Sequence, residues 1–305
     1  VNTTSDYSKG TFVVNEGVFN AGTGTVTYFD GSMATQDIFG KENSENALGN
    51  IAQSMVKFAG RYFIAVNNAD KIQVVDAQTF RSVGEITNLP LPRYFAATAN
   101  KLYVSSYSKD FTKGAIYELD AINLKITSVI PVDGLAEKIL IKGDLLYLTI
   151  SAGETDIFPR NVLVMDINTN TFVDTITVGD NPSDLAMDKN GDLWVTCSGF
   201  FNWTDPSLNT SGSIHKISGG KSVFNYSIPN GSKGAVTDKA GENIYYLANN
   251  QVFEHNINEQ SGSDHVIHDG YYYSIGFNPY TEEIFLADAG DFQQTGRVVM
   301  VNPKT

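Results

Sequence analysis

Apolar and polar residues alternate along this chain in short runs of four to eight, punctuated by Gly, Asn, Asp and Pro. Period-two runs between turn formers predict β-strands, and a 3.6-residue helical period is nearly absent. One stretch sets the template: Tyr62-Phe63-Ile64-Ala65-Val66, a four-residue gap, then Lys71-Ile72-Gln73-Val74-Val75-Asp76. It is a strand with an aromatic near its start, a loop, and a second strand closing on a small polar residue. The aromatic returns at Phe12, Phe63, Tyr103, Tyr147, Trp194, Tyr245 and Phe285. The closing residue returns at Asp30, Asp76, Asp120, Asp166, Ser218, Asn256 and Asn302. Strand-rich units repeating about every 45 residues are the mark of a propeller. No unit buries its apolar face alone, so the units must stack around an axis. The pattern predicts an all-β chain: one seven-bladed β-propeller over residues 1–305, with four-stranded blades.

The third unit shows all four strands, expected at Ala96–Thr98, Lys101–Ser106, Ala115–Asp120 and Lys125–Ile130. The fourth repeats them at Lys138–Ile141, Leu145–Ile150, Asn161–Asp166 and Thr171–Val178. Asn100, Gly143, Asn190-Gly191 and Gly241 mark the turns between first and second strands, where left-handed backbone is needed. Arg81, Glu85, Lys125 and Asp174 fall on outermost strands, where charge discourages pairing with other chains. The end units are incomplete. The first begins at its second strand and the seventh stops after its third, which points to an open, shorter blade or to further C-terminal residues.

The distance from aromatic to closing residue runs from 11 residues (Tyr245 to Asn256) to 24 (Trp194 to Ser218). The surplus lies in Asn15–Gly24, Tyr107–Gly114, Ser151–Asn161, Ser198–Gly212 and Ala289–Gly296, loops expected on one face. Variable loops on a fixed scaffold are where sites arise. These loops carry Phe19, Tyr107, Phe111, Phe158, Phe200, Phe201, Trp203 and Phe292. Segments joining blades on the same face add Arg93-Tyr94-Phe95 and Tyr271-Tyr272-Tyr273. Aromatics give stiff, half-wet contact area. Amides such as Asn15, Asn20, Asn202, Asn209, Gln293 and Gln294 would orient a neutral polar ligand. The candidate binding set is therefore Asn15, Phe19, Arg93, Tyr94, Tyr107, Phe111, Phe158, Phe200, Phe201, Trp203, Tyr271, Tyr272 and Phe292. The competing reading is that these rings merely pack the loops onto the sheet ends, with Trp203 as a plug.

Net charge is −13 with a pI near 4.6, and no basic cluster breaks it. Nucleic acid needs a cationic face, so it is not an expected partner. No run reaches the roughly 18 apolar residues of a membrane helix. The lone Cys197 excludes an internal disulfide framework and reads as a small buried residue. No catalytic motif appears. His265 and His268 would point to opposite faces of a strand. Asp188-Lys-Asn190-Gly-Asp192 reads as turn chemistry rather than a calcium loop, since the downstream Glu is missing. Glu154 and Asp156 have no evident partners. No catalytic residue, metal site or required cofactor is expected. The rivals to small-molecule capture are a protein-interaction or surface-layer propeller and a propeller lyase or hydrolase.

Val178-Gly-Asp-Asn-Pro182-Ser-Asp-Leu-Ala186 resembles the blade junction of seven-bladed YncE-like propellers. The opening, Gly10-Thr-Phe-Val-Val-Asn15-Glu16-Gly17 followed by Gly24-Thr-Val-Thr-Tyr28, resembles the DUF5074 group of surface propellers of Bacteroidetes. Within that group the chain is similar to the BtuG-type lipoproteins, which capture vitamin B12 and related corrinoids. The resemblance implies corrinoid binding without chemistry at the bacterial cell surface and delivery to a TonB-dependent outer-membrane transporter. It implies attachment to the membrane only through a lipid anchor borne by a cysteine outside this chain. A broad, amide-edged corrin is compatible with an aromatic, amide-furnished face.

Overall fold

The computed structural model describes residues 6–151, 159–259, 264–290 and 295–304. The chain divides into two compact units, Val1–Ile141 and Lys142–Thr305. Its architecture is the seven-bladed β-propeller, each blade a meander in which successive strands are neighbours. In the first unit, blade one has three strands, Thr11–Asn15, Thr25–Phe29 and Ala34–Thr35. Blade two comprises Ala52–Phe58, Arg61–Val66, Lys71–Asp76 and Ser82–Thr87. Blade three comprises Pro92–Ala97, Leu102–Tyr107, Gly114–Asp120 and Lys125–Val132. Leu135–Lys142 is the first strand of blade four, which continues with Leu145–Ser151, Asn161–Asp166 and Thr171–Thr177. In the second unit, blade five comprises Pro182–Met187, Leu193–Cys197, Gly212–Ser218 and Lys221–Ile228. Blade six comprises Lys233–Thr237, Asn243–Ala248, Gln251–Asn256 and His265–Asp269, and blade seven Ser274–Asn278, Glu283–Asp288 and Arg297–Val301. The three-stranded end blades agree with the sequence reading.

The repeat is visible in the registers. Phe12 pairs with Tyr28, Phe63 with Val74, Tyr103 with Glu118 and Tyr147 with Val164. Trp194 pairs with Lys216, Tyr245 with Glu254 and Phe285 with Met300. In every blade the partner lies two residues before the closing residue. Phe63, Tyr103, Tyr147, Trp194 and Tyr245 are buried, each contributing roughly 1.5–3 kcal/mol by leaving water. Phe12 is half-buried but packs on blade two, its ring centroid 4.8 Å from that of Tyr62.

The closing residues shape the hairpin between third and fourth strands. Asp76 Oδ1 accepts from the backbone N–H groups of Gln78 (3.0 Å) and Thr79 (2.8 Å), an Asx turn. Asp30, Asp120, Asp166, Asn256 and Asn302 each accept from the N–H two residues on. These bonds favour the charged carboxylate and hold Asp30, Asp76 and Asp120 below the usual carboxylate range. Ser218 departs from the rule. Gly219 and Gly220, at φ of 56° and 77°, make the two-residue turn that pairs Ser218 with Lys221.

Two features escape the sequence pattern. A five-residue helix, Ile38–Glu42, is capped by Asp37 Oδ1 accepting from the Gly40 N–H at 3.0 Å. It buries Ile38 and Phe39 beside Tyr7 and Phe80, and is too short to show a helical period. The first strands of blades three and four begin at Pro92 and Leu135, earlier than the expected Ala96 and Lys138. Arg93-Tyr94-Phe95 therefore lies within a strand rather than in a connector. The reason is bulging. The register slips between Ala52 and Ser54, Pro92 and Phe95, Pro182 and Asp184, and Lys233 and Val236. A bulge re-aims side chains and breaks the alternation that marks a strand.

Candidate functional site

At the bulge that opens blade three, Arg93 is held on three sides. Its Nε donates to Glu137 Oε2 at 2.9 Å and its Nη2 to Glu137 Oε1 at 2.7 Å, a two-pronged pair across to the first strand of blade four. Its Nη1 donates to Gln53 Oε1 at 2.5 Å, from the bulge of blade two. Gln53 Nε2 in turn donates to the Tyr94 hydroxyl at 3.2 Å. The Tyr107 hydroxyl donates to Glu137 Oε2, and the Arg93 guanidinium stands 4.8 Å from the Tyr107 ring centroid and 5.4 Å from that of Tyr94. Burial works against the Arg93 charge, but the Glu137 carboxylate outweighs it and holds the guanidinium above its ordinary value. Lys138 places its ammonium 3.8 Å from the Tyr94 centroid, and Phe111 sets its edge against Tyr107 at 6.3 Å. Glu137 offsets the Arg93 charge inside this cluster, while Phe111 is exposed and Tyr94 half-buried.

Of the residues singled out in the sequence, the structure gathers Arg93, Tyr94, Tyr107 and Phe111 here. Asn15 instead spends its amide within blade one, donating to Thr25 Oγ1 (3.1 Å) and Thr27 Oγ1 (3.0 Å). Phe19 is exposed in the next loop. Gln53 and Glu137 were not singled out. The signal that finds them is positional: each is a polar residue at the start of a first strand, in register with Arg93.

In the second unit, the long loop of blade five is built by its own polar residues. Asn202 Oδ1 accepts from the N–H groups of Thr204 and Asp205, and the Asn202 N–H donates to Asn209 Oδ1 at 2.6 Å. Asn230 ties the loop base down, its Nδ2 donating to the carbonyls of Phe200 (2.7 Å) and Thr210 (2.5 Å). The tip is left bare. Trp203 is 89% exposed and Phe201 47%, their rings edge-on at 4.5 Å. Trp203 is thus not a plug.

Three residues beyond Asn230 stands Lys233, at the bulge that opens blade six. Its ammonium lies 5.3 Å from the Tyr271 centroid and 5.1 Å from that of Tyr273. Tyr272 between them is buried in the blade-seven core and stacks on His268 at 5.8 Å, so it lines no surface. Phe158 and Phe292 lie outside the described residues, as do Glu154, Asp156, Gln293 and Gln294.

Other candidate chemistry is absorbed by structure. Asp188 Oδ1 accepts from the N–H groups of Asn190 and Asp192, and its Oδ2 from Trp194 Nε1 at 3.0 Å. Cys197 is buried, which pushes its thiol up to about 12. Among the described residues no cluster of three or more His, Cys, Asp or Glu is arranged to hold a metal ion. Among them, too, no helix is long and apolar enough to cross a membrane.

A family model described as "Domain of unknown function (DUF5074)" matches residues 9–300. No curated protein matches the sequence. Among solved structures, the chain is similar to a quinonprotein alcohol dehydrogenase-like protein of Bacteroides thetaiotaomicron at 13% identity. That match has a TM-score of 0.70 and covers 98% of this chain and 74% of the other. It is also similar to hydrazine synthase of Kuenenia stuttgartiensis (18% identity, TM-score 0.63, 85% and 76% covered). A third is the Pan2 WD40 domain of Neurospora crassa (10% identity, TM-score 0.66, 92% and 83% covered). At these identities the likeness concerns the fold alone.

Proposed function

The chain belongs to the DUF5074 family, and from that premise we propose that it captures a small molecule on a preformed face, without chemistry, the ligand being a corrinoid such as vitamin B12 or cobinamide. The observation that carries this reading is the Arg93 clamp. Glu137 neutralises the guanidinium, Gln53 accepts from it, and together with the buried Tyr107 they fix the half-buried Tyr94 as a stiff wall. A ligand meeting such a wall pays little ordering cost, which is how a rigid site gains affinity. A corrin is broad and edged with amides, so it suits aromatic walls bordered by amide groups. The resemblance to corrinoid-capturing lipoproteins extends the proposal to a place on the bacterial outer surface. There the protein would hand its ligand to a TonB-dependent transporter, tethered by a lipid anchor.

Calorimetric titration of the full chain with cyanocobalamin tests this. Saturable binding is expected, weakened about thirtyfold or more by Tyr94→Ala, the scale of an aromatic hot spot. Trp203→Ala separates a second contribution: the exposed ring should leave the melting temperature unchanged whatever it does to affinity. No heat and no visible absorbance change with cyanocobalamin or dicyanocobinamide would overturn the corrinoid reading. A protein-interaction role would then stand first, because the bare Phe201–Trp203 tip offers an apolar contact surface.

A further inference from the structure

We propose that Lys233, Tyr271 and Tyr273 form an anion subsite in the second unit, taking the phosphate or carboxylate of a ligand whose planar apolar body lies on the tyrosine rings. The inference stands independently of the corrinoid reading.

The first support is electrostatic. Lys233 is half-buried, yet its ammonium makes no hydrogen bond or ion pair among the described residues. Among the described residues its environment contains two ring faces and no counter-charge. Burial holds its titration below the usual lysine range. Aromatic faces attract a cation, but they leave its net charge in place for an arriving anion. In a chain of net charge −13 a free anion is repelled almost everywhere, so an uncompensated cation defines where one can settle.

The second support is that the backbone builds this arrangement. Lys233 begins a bulge whose next residue, Gly234, has φ of 74°. A Cβ at Gly234 would overlap Ile275 Cγ2, so only glycine lets the bulge close against blade seven. On the facing segment, Gly270 at φ of 146° lies so close to the Tyr272 ring that a Cβ would strike its hydroxyl at 2.7 Å. Tyr272 is thereby seated in the core, and its two neighbours stay outside, Tyr271 54% and Tyr273 41% exposed. The Tyr273 N–H donates to the Ala287 carbonyl at 2.7 Å, which anchors this segment to blade seven. Ring faces and ammonium are presented together by a fixed backbone.

The test is titration of the full chain with phenyl phosphate, followed by NMR of the lysine side chains and by tyrosine fluorescence. Saturable shifts at Lys233 and quenching of the tyrosines are expected. Affinity should fall about tenfold or more in Lys233→Met and largely persist in Lys233→Arg, which keeps the charge. Benzoate in place of phenyl phosphate assigns the preferred anion: tighter phenyl phosphate marks a phosphate subsite, tighter benzoate a carboxylate subsite. Phenol carries the ring without the charge and should bind at least tenfold more weakly, a check that needs no mutation. Equal binding of phenol and phenyl phosphate would overturn the proposal. So would unchanged affinity in Lys233→Met, or no shift at Lys233 at about 10 mM ligand.

Discussion

Arg93 in blade three and Lys233 in blade six occupy the same place in their repeats, at the bulge where a first strand begins. Their surroundings differ. Arg93 meets a carboxylate two-pronged, a glutamine and two tyrosine rings; among the described residues Lys233 meets two rings and no acid. One scaffold position thus serves opposite ends. Paired, the cation becomes a strut that stiffens walls; unpaired, it stays available to something from outside. The fold fixes where the side chain is aimed, and the neighbouring blades decide what its charge is for.

The sharpest way to break this comparison is to turn the first situation into the second. Glu137→Gln leaves the Arg93 guanidinium without its counter-charge and gives Arg93 and Tyr107 one acceptor oxygen where they had two. It should cost about 3–5 kcal/mol of folding stability, as breaking a buried ion pair does. Urea denaturation measures it; a loss under about 1 kcal/mol would show that water already compensates Arg93.

His215 extends the contrast to a base inside a blade. Its ring is bonded to Ser213 (3.1 Å) and Ser222 (3.0 Å), and burial pushes it down to about 4. Unfolded histidine takes up its proton near 6.5 and the folded one does not until about 4, so stability should fall as pH drops through that window. The expected loss is about 3 kcal/mol across that window. Melting curves of wild type and His215→Gln between these limits isolate it. If the two decline in parallel, His215 is not buried neutral.

The smallest effect should fall on a feature both regions share. Asp76→Ala removes two backbone partners and should cost about 1 kcal/mol, whereas Asp166→Ala removes the Asn168 N–H partner and should cost less. Reversal of that order in chemical denaturation would mean that the turns are set by something other than their closing residues.

What was legible in the sequence is what repeats. Seven aromatics gave blade number because they hold one register against the closing residues, and Asp, Asn or Ser-Gly-Gly marked each outer turn. The first-strand starts were not legible. Bulges displace Gln53, Arg93, Ser183 and Gly234 from strict alternation, so these stretches read as connectors. The candidate site lies in those stretches. Arg93 and Tyr94 were found through their aromatic company; Gln53, Glu137 and Lys233 have none in sequence and are recognisable only once neighbouring blades stand side by side. Tyr272 shows the converse, since three successive tyrosines look alike until the backbone sends the middle one inward.

The outer turns carry a consequence for ancestry. In five blades a single Asp or Asn and the N–H two positions later shape the hairpin from within the turn itself. A stretch of gene encoding one blade therefore takes its folding instruction with it when copied, and the copy bends correctly beside its parent from the first generation. The blade that uses Ser-Gly-Gly shows how such a copy drifts afterwards. A carboxylate or amide is surrendered only where paired glycines have made it redundant, and the strands on either side keep their pairing.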